Sequence, residues 1–482
     1  MAAELTQRSI VLVPFPAQGH VTPMLHLARA VVDRGHGNIS ATVAVPDFIH
    51  RRMGQFSAAE VALVSIPSGV ADDGGDDEPP GSGSFLHAME HYMPAQLEGM
   101  LTARRGAEGA RRVSCLVVVD LLASWAIPVA ARCSLPVVGF WVGMLATYRT
   151  VAVIPELIGK GIISESGNLL PADGTMKDHK NIGDLNILPA KLKLRFKDLP
   201  WLLDSTLPQK SRIDFWLQAL DRAKCLPCIL VNSIPNEGGN SSDDQHQYDL
   251  PQDQQMLQQV GPLLFNDDSS KKTTSMQENP ASMWLADNTC IDWLDKQSPG
   301  SVIYVSFGSW AAPIQPDKIT GFARGLEASG RPFLWALKNH PSWRAGLPDN
   351  YEEKVSGRGK IVSWAPQEDV LKHRALGCYI MHCGWNSVLE AAREGVRMIC
   401  YPVTADHFIN CAYIVNMWEI GIELASSDQS DVKDCIERVM EGNEGKHLQQ
   451  KVNELRETIT VGEAMGVAKS NLNLFMDRIN NI

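Results

Sequence analysis

Between Trp364 and His407 the chain reads WAPQEDVLKHRALGCYIMHCGWNSVLEAAREGVRMICYPVTADH, and its aromatic and polar residues suit a single task. Trp364 offers a flat face to a heterocyclic base. The run His382, Cys383, Gly384, Trp385, Asn386, Ser387 reads as a turn feeding a helix. Such a helix start presents unpaired N–H groups and a partial positive charge, which suit a diphosphate without a metal. Glu390 and the pair Asp406, His407 then remain for sugar hydroxyls. The set describes a site for one nucleotide sugar.

A second constellation lies far upstream. His20 closes the segment PFPAQGH at the start of a helix, and Asp120 stands one strand-end later in VVVDLLASWA. A helix N-terminus is a poor place for a cation, so the ring is left able to accept a proton. A carboxylate behind it fixes the tautomer and stabilises the charge gained when the base activates a hydroxyl.

Positioning these groups falls to alternating strands and helices. Ile10 to Val13 is a short apolar run, Thr22 to Arg34 has helical spacing, and Ile39 to Val45 alternates like a strand. Cys115 to Val119, a helix from about Leu122 to Arg132, and Val137 to Phe140 continue the pattern. It restarts with strand Val302 to Phe307, helix Asp317 to Ser329, and strands Phe333 to Leu337 and Gly359 to Val362. Strand–helix–strand repeats imply parallel sheets, and ligands of such sheets sit beyond the strands' carboxyl ends. His20 and Asp120 therefore belong at one sheet face, opposite the site of the second half.

A length of 482 residues favours two domains. Residues 1–265 are expected to form the first, 266–285 a linker, 286–460 the second, and 461–482 a terminal helix. Ala71 to Ser84, Asn236 to Gln247 and Asn266 to Ser282 are rich in Asp, Gly, Ser, Asn and Gln and read as loops. A net charge of -11, from 44 Lys+Arg against 55 Asp+Glu, argues against nucleic acid and anionic membranes. The N-terminus lacks a secretory pattern and Val113 to Ala131 is broken by Asp120 and Pro128, so a cytoplasmic protein with no membrane insertion is expected. Its ten cysteines read as reduced thiols, and Cys225–Cys228 as a structural CxxC. His26 reads as packing.

The Trp364–His407 stretch closely resembles the signature box of plant family-1 UDP-glycosyltransferases. It keeps Trp364, Ala365, Pro366, Gln367, His373, Gly377, His382 to Ser387, Glu390, Gly395, Val396, Pro402 and Asp406 at the family spacing. PFPAQGHVTPMLHLA and VVVDLLASWA are similar to the family's catalytic segments. The resemblance implies the GT-B architecture, two Rossmann-like doubly wound α/β domains facing across a cleft, with the C-terminal helix crossing back to the first. It makes His20 the general base and Asp120 its partner. Trp364 would stack on uracil, Gln367 would lie at the nucleoside, Glu390 would bind ribose, and Ala365 would be part of the donor site. His382, Asn386, Ser387 and Ser309 would hold the diphosphate, and the Trp385 backbone, Asp406 and His407 the sugar. No metal is expected, since no two Asp lie two apart as in a DxD motif. No cofactor is expected either, UDP-sugar being a co-substrate, and the chain is expected to act as a monomer.

The chain departs from the family in three places. His407 stands where the box ends in Gln, and in the family His there has been linked with galactose or pentose donors, though some such members use glucose. UDP-glucose stays the expected donor. Arg397 replaces the usual Pro, and Val142 a small polar residue. Phe15, Phe85, Tyr92, Trp141, Met144 and Trp201 fall in segments that line the acceptor pocket in relatives, which suits a flavonoid or other phenolic aglycone. Two other readings share the fold: a UDP-sugar epimerase, and a nucleotide-sugar-binding protein without catalysis.

Overall fold

The computed structural model describes residues 8–53, 60–70, 82–106, 114–170, 188–189, 191–192, 194–195, 198–202, 208–237, 256–263, 282–308 and 314–481. Its strands form two wholly parallel sheets. The first joins β1 (Arg8–Val13), β2 (Ile39–Pro46), β3 (Val61–Ile66), β4 (Ser114–Asp120), β5 (Val137–Trp141), β6 (Cys228–Val231) and β7 (Met256–Gln259) in the order β3-β2-β1-β4-β5-β6-β7. The second joins β8 (Val302–Ser306), β9 (Phe333–Ala336), β10 (Gly359–Val362), β11 (Leu376–Met381), β12 (Arg397–Cys400) and β13 (Gly421–Glu423) in the order β10-β9-β8-β11-β12-β13. This is the GT-B arrangement of two doubly wound α/β domains.

Central strands such as IVLV of β1 and VIYV of β8 are buried along their whole length, as expected of strands covered on both faces. In both sheets the strand order reverses between the first strand and its fourth-in-sequence neighbour. β1 pairs with β4 in register Val13↔Val119, and β8 pairs with β11 in register Ser306↔Met381. A parallel doubly wound sheet opens a crevice at such a reversal, beyond the carboxyl ends. The helix after β1 carries His20 in its first turn and the end of β4 is Asp120. The loop after β11 carries His382.

Local boundaries differ from the sequence reading in instructive ways. The first helix begins at Gln18, four residues earlier than expected, and Pro23 sits inside it. The expected helix from Leu122 is split, with a 3₁₀ turn over Leu121–Ala123 and the helix proper at Ala126–Arg132. Asp120 Oδ1 accepts from the Leu122 N–H at 3.0 Å and so caps the turn. The expected loop Ala71 to Ser84 ends early, since a helix spans Ser82–His91. The rest of that loop and most of the expected linker lie outside the described residues.

The last helix, Glu463–Asn480, returns to the first sheet. Asn471 Nδ2 donates to Gln259 O at 2.8 Å, and Arg8 donates to Asn480 O at 2.8 Å. Among the described residues no helix is long and apolar enough to cross a membrane.

Arg397 turns inward onto backbone carbonyls. It is half-buried and donates to Gly377 O at 2.9 Å and to Val439 O at 2.6 Å, tying the start of β11 to the end of the helix Gln429–Met440. Proline at this position would lack all of these donors.

Candidate active site

His20 is the third residue of the first helix, and this start aims its ring back at the end of β4. His20 Nδ1 lies 2.7 Å from Asp120 Oδ2. The carboxylate is fully buried, while the imidazole keeps 19% of its surface open. Asp120 also accepts from the Phe15 N–H at 3.1 Å, so three donors hold it still. With Nδ1–H directed at the carboxylate, Nε2 is left as the acceptor facing the cleft. Phe15 lies 5.1 Å from the His20 ring and Phe85 5.7 Å from Phe15, an aromatic row leading to the base.

Across the cleft, β11 ends at Met381 and the helix Trp385–Glu394 begins four residues later, with Gly384 as its uncapped N-terminus. Cys383 between them adopts φ +67, a left-handed conformation that non-glycine residues enter only under constraint. The turn is tight enough that glycine is required at its neighbours. A Cβ at Gly384 would lie 2.3 Å from His382 Nε2, and one at Gly308, where φ is +89, would lie 2.7 Å from the same atom. His382 is thus clasped between two backbone segments. Burial first, then His407, holds its ring down to about 3, with Asp406 opposing. At neutral pH it serves as a hydrogen-bonding ring and not as a cation, and the helix start carries the positive end.

His407 packs edge-on to His382 at 4.8 Å and burial lowers it to about 3 as well. Its Nδ1 accepts from the Thr404 N–H at 3.1 Å, which places the proton of the neutral ring on Nε2. Asp406 is held by Asn410 Nδ2 at 2.8 Å. Its carboxyl is raised by burial, eased back by Asn410, and close enough to His20 to feel that ring.

Two residues expected to touch the donor through their side chains, Gln367 and Asn386, are engaged inside the protein. Gln367 Oε1 accepts from the hydroxyls of Tyr304 at 3.2 Å and Tyr379 at 3.0 Å, while Nε2 donates to Ser387 Oγ at 2.9 Å and Glu390 Oε2 at 2.6 Å. Its amide is saturated, and it orients Ser387 and Glu390. Asn386 Nδ2 donates across the cleft to Gly19 O at 3.0 Å, beside His20. Trp385 Nε1 donates to Asn232 O at 2.6 Å in the first domain. The helix start is therefore pinned to the first turn of the helix that carries His20.

Trp364 is half-buried, Ala365 is buried, and Trp284 stands against Trp364 at 6.0 Å with Lys338 Nζ 4.3 Å above Trp284. Ser309 lies outside the described residues. Among the residues expected near the acceptor, Met144 and Trp201 are fully buried core and Trp141 is nearly so, while Tyr92 is exposed. His26 is buried against Leu263 O at 2.7 Å, a packing role. His87 and His91 are exposed, 4.5 Å apart on one helix face. The Tyr304–Tyr379 stack at 4.8 Å beneath Gln367 escaped the sequence reading, because two apolar strands gave no sign that their hydroxyls meet.

Comparison with known proteins agrees with the fold and shows the family. A family described as UDP-glucoronosyl and UDP-glucosyl transferase matches residues 274–456. UDP-glycosyltransferase 82A1 of Arabidopsis thaliana is 39% identical, with 99% of this chain and 100% of that protein covered. The DIMBOA UDP-glucosyltransferase BX8 of Zea mays is 33% identical, with 95% of each covered. Among solved structures, a UDP-glucose: anthocyanidin 3-O-glucosyltransferase in complex with UDP superposes with a TM-score of 0.76 at 24% identity, covering 99% of both chains. Os79 from O. sativa in complex with UDP gives a TM-score of 0.76 at 22% identity, covering 98% of this chain and 100% of that one.

Proposed function

The chain belongs to the plant family-1 UDP-glycosyltransferases, and from that premise we propose that it moves a hexose, glucose foremost, from UDP to a hydroxyl of a small apolar aglycone such as a flavonoid or other phenolic. The observation that carries this reading is the His20–Asp120 pair at 2.7 Å, set one residue from the Gly19–Asn386 bridge to the donor helix. The acceptor hydroxyl gives its proton to His20 Nε2 as its oxygen attacks the anomeric carbon. The bond to the β-phosphate oxygen breaks, and UDP leaves. Asp120 stabilises the imidazolium that forms, and the helix start at Gly384 with the His382 ring stabilises the departing diphosphate. One in-line displacement inverts the anomeric configuration.

The aromatic row Phe85–Phe15–His20 favours a flat acceptor. The names of the maize and anthocyanidin relatives favour glucose and a small organic acceptor. His407, a neutral Nε2–H donor by its bond to Thr404, is read as hydrogen-bonding a sugar hydroxyl. A matrix of UDP-glucose, UDP-galactose, UDP-xylose and UDP-arabinose against phenolics, read by product mass, tests the assignment. Turnover with UDP-glucose and a phenolic is expected; sugar isomerisation with no aglycone product would favour an epimerase instead.

Donor binding carries a pH signature. Burial raises the Glu390 carboxyl to about 7, with Glu368 adding to the shift and Gln367 and Arg393 opposing it. Ribose hydroxyls donate, so they prefer the ionised carboxylate and lower its affinity for protons. Donor affinity is then expected to rise with pH up to about 7, by at most tenfold per pH unit, and to level off above it. Calorimetric titration with UDP across this range checks the slope. A Glu390→Gln variant should bind more weakly and lose the pH dependence; a flat wild-type profile would exclude Glu390 as the ribose carboxylate.

A further inference from the structure

Buried against the donor loop lie three cysteines that the proposed reaction does not use. Cys383 follows His382, Cys400 ends β12, and Cys411 lies on the short helix His407–Ala412. All are free thiols and all are buried, at 0%, 0% and 3% exposure. Their sulfur atoms lie within 4.8 Å of one another, and among the described residues no His, Asp or Glu joins the group. A trivalent centre with a lone pair, bound equally by three thiolates at about 2.3 Å, is pyramidal and needs sulfurs about 3.5 Å apart. Sulfurs already within 4.8 Å of one another reach that arrangement by side-chain adjustments of about 1 Å.

We propose that Cys383, Cys400 and Cys411 form a three-thiol site for a thiophilic trivalent ion, with As(III) as the species whose charge it fits, and that occupying it weakens donor binding.

Charge decides the class of ion. The acids whose charge reaches the cluster are Glu423, acting on Cys400, and Asp198, acting on Cys411, Asp198 being itself paired with Arg195 at 2.9 Å. Three thiolates around a monovalent or divalent ion would bury net negative charge beside these acids, whereas a trivalent centre leaves none. A tetrahedral divalent ion such as Zn²⁺ would also lack a fourth ligand. Arsenous acid, As(OH)₃, enters uncharged. Three As–S bonds form, three As–O bonds break, and the three thiol protons leave with the three hydroxides as water, without change of oxidation state.

The link to function is mechanical and rests on the donor-site reading above. Cys383 shares the strained turn with His382 and its carbonyl accepts from Asn410 Nδ2 at 2.9 Å, the amide that also holds Asp406. Drawing the sulfurs together therefore pulls on the phosphate and sugar ends of the site.

The full-length protein is incubated with sodium arsenite, desalted, and measured by mass spectrometry for bound arsenic and by calorimetry for UDP affinity. One arsenic per chain is expected, removable by a dithiol, with X-ray absorption showing three sulfur neighbours and no oxygen. Cys400→Ser and Cys411→Ser should retain none, and Cys228→Ala, a buried thiol outside the cluster, should retain it. The loaded protein should bind UDP at least tenfold more weakly. Wild-type protein that carries no arsenic after desalting, a mixed sulfur and oxygen shell, equal retention of Zn²⁺, or full retention by Cys400→Ser would overturn the site. Stoichiometric arsenic with unchanged UDP affinity would overturn the coupling to the donor loop and leave the enzyme assignment untouched.

Discussion

Replacing His20 with Ala lowers kcat for transfer to a phenolic hydroxyl by about 10²–10⁴-fold, the usual contribution of a positioned general base. UDP binding, measured by calorimetry, stays within about twofold, because the ring touches the acceptor proton and not the donor. Asp120→Asn is expected to lose activity on the same scale for a different reason. Asp120 Oδ2 faces both His20 Nδ1 and the Phe15 N–H, and Oδ1 faces the Leu122 N–H. An amide has one oxygen for these donors, so its NH₂ must oppose an N–H. It can face His20 only by forcing the other tautomer, which puts a proton on Nε2 where an acceptor is needed. The double variant should lose little more than His20→Ala, since the two residues act as one unit. A His20→Ala enzyme with full activity would remove the base from the account.

Gly384→Ala raises the Kd for UDP by about 10–100-fold, the scale at which one oriented anion-binding group acts. The new methyl would stand 2.3 Å from His382 Nε2, closer than any real contact, so the ring or the helix start must move. Both belong to the proposed diphosphate site. Gly321→Ala provides the contrast. Its Cβ would stand 1.9 Å from Ser427 O, at none of the residues assigned to the donor, where the helix Pro316–Ser329 meets the chain before Gln429. That variant should lose thermal stability, seen by differential scanning fluorimetry, with UDP affinity kept in the protein that remains folded. Equal UDP affinity in Gly384→Ala and wild type would mean that His382 is not where the phosphate binds.

Much of this was legible in the sequence, because strand and helix periodicity report burial directly. The apolar runs at Ile10, Cys115 and Val302 each grew into a central parallel strand, and the strand-end rule for doubly wound sheets brought His20 and Asp120 together across one hundred positions. Elements at the sheet margins were harder to see. β3 alternates only weakly, and β13 has three residues, too few to show a period. The partners of polar groups were not legible at all. Asn386 and Gln367 read as donor contacts, yet the Asn386 amide donates to Gly19 O, a contact that exists only once the two domains have met, and Gln367 is taken by the Tyr304–Tyr379 pair, which exists only once β8 and β11 have paired. Arg397 likewise read as a lost proline and is a half-buried clamp on backbone carbonyls. Its value depends on the free carbonyl at Val439, where a helix ends.

The central claim is that one hydroxyl, deprotonated by His20, displaces UDP in a single in-line step. The most direct measurement is the proton NMR coupling at the anomeric position of the product formed from UDP-α-glucose and a phenolic acceptor. The large coupling of a β-glucoside is expected. The small coupling of an α-glucoside would mean retention, and with it a mechanism that the His20–Asp120 pair does not perform.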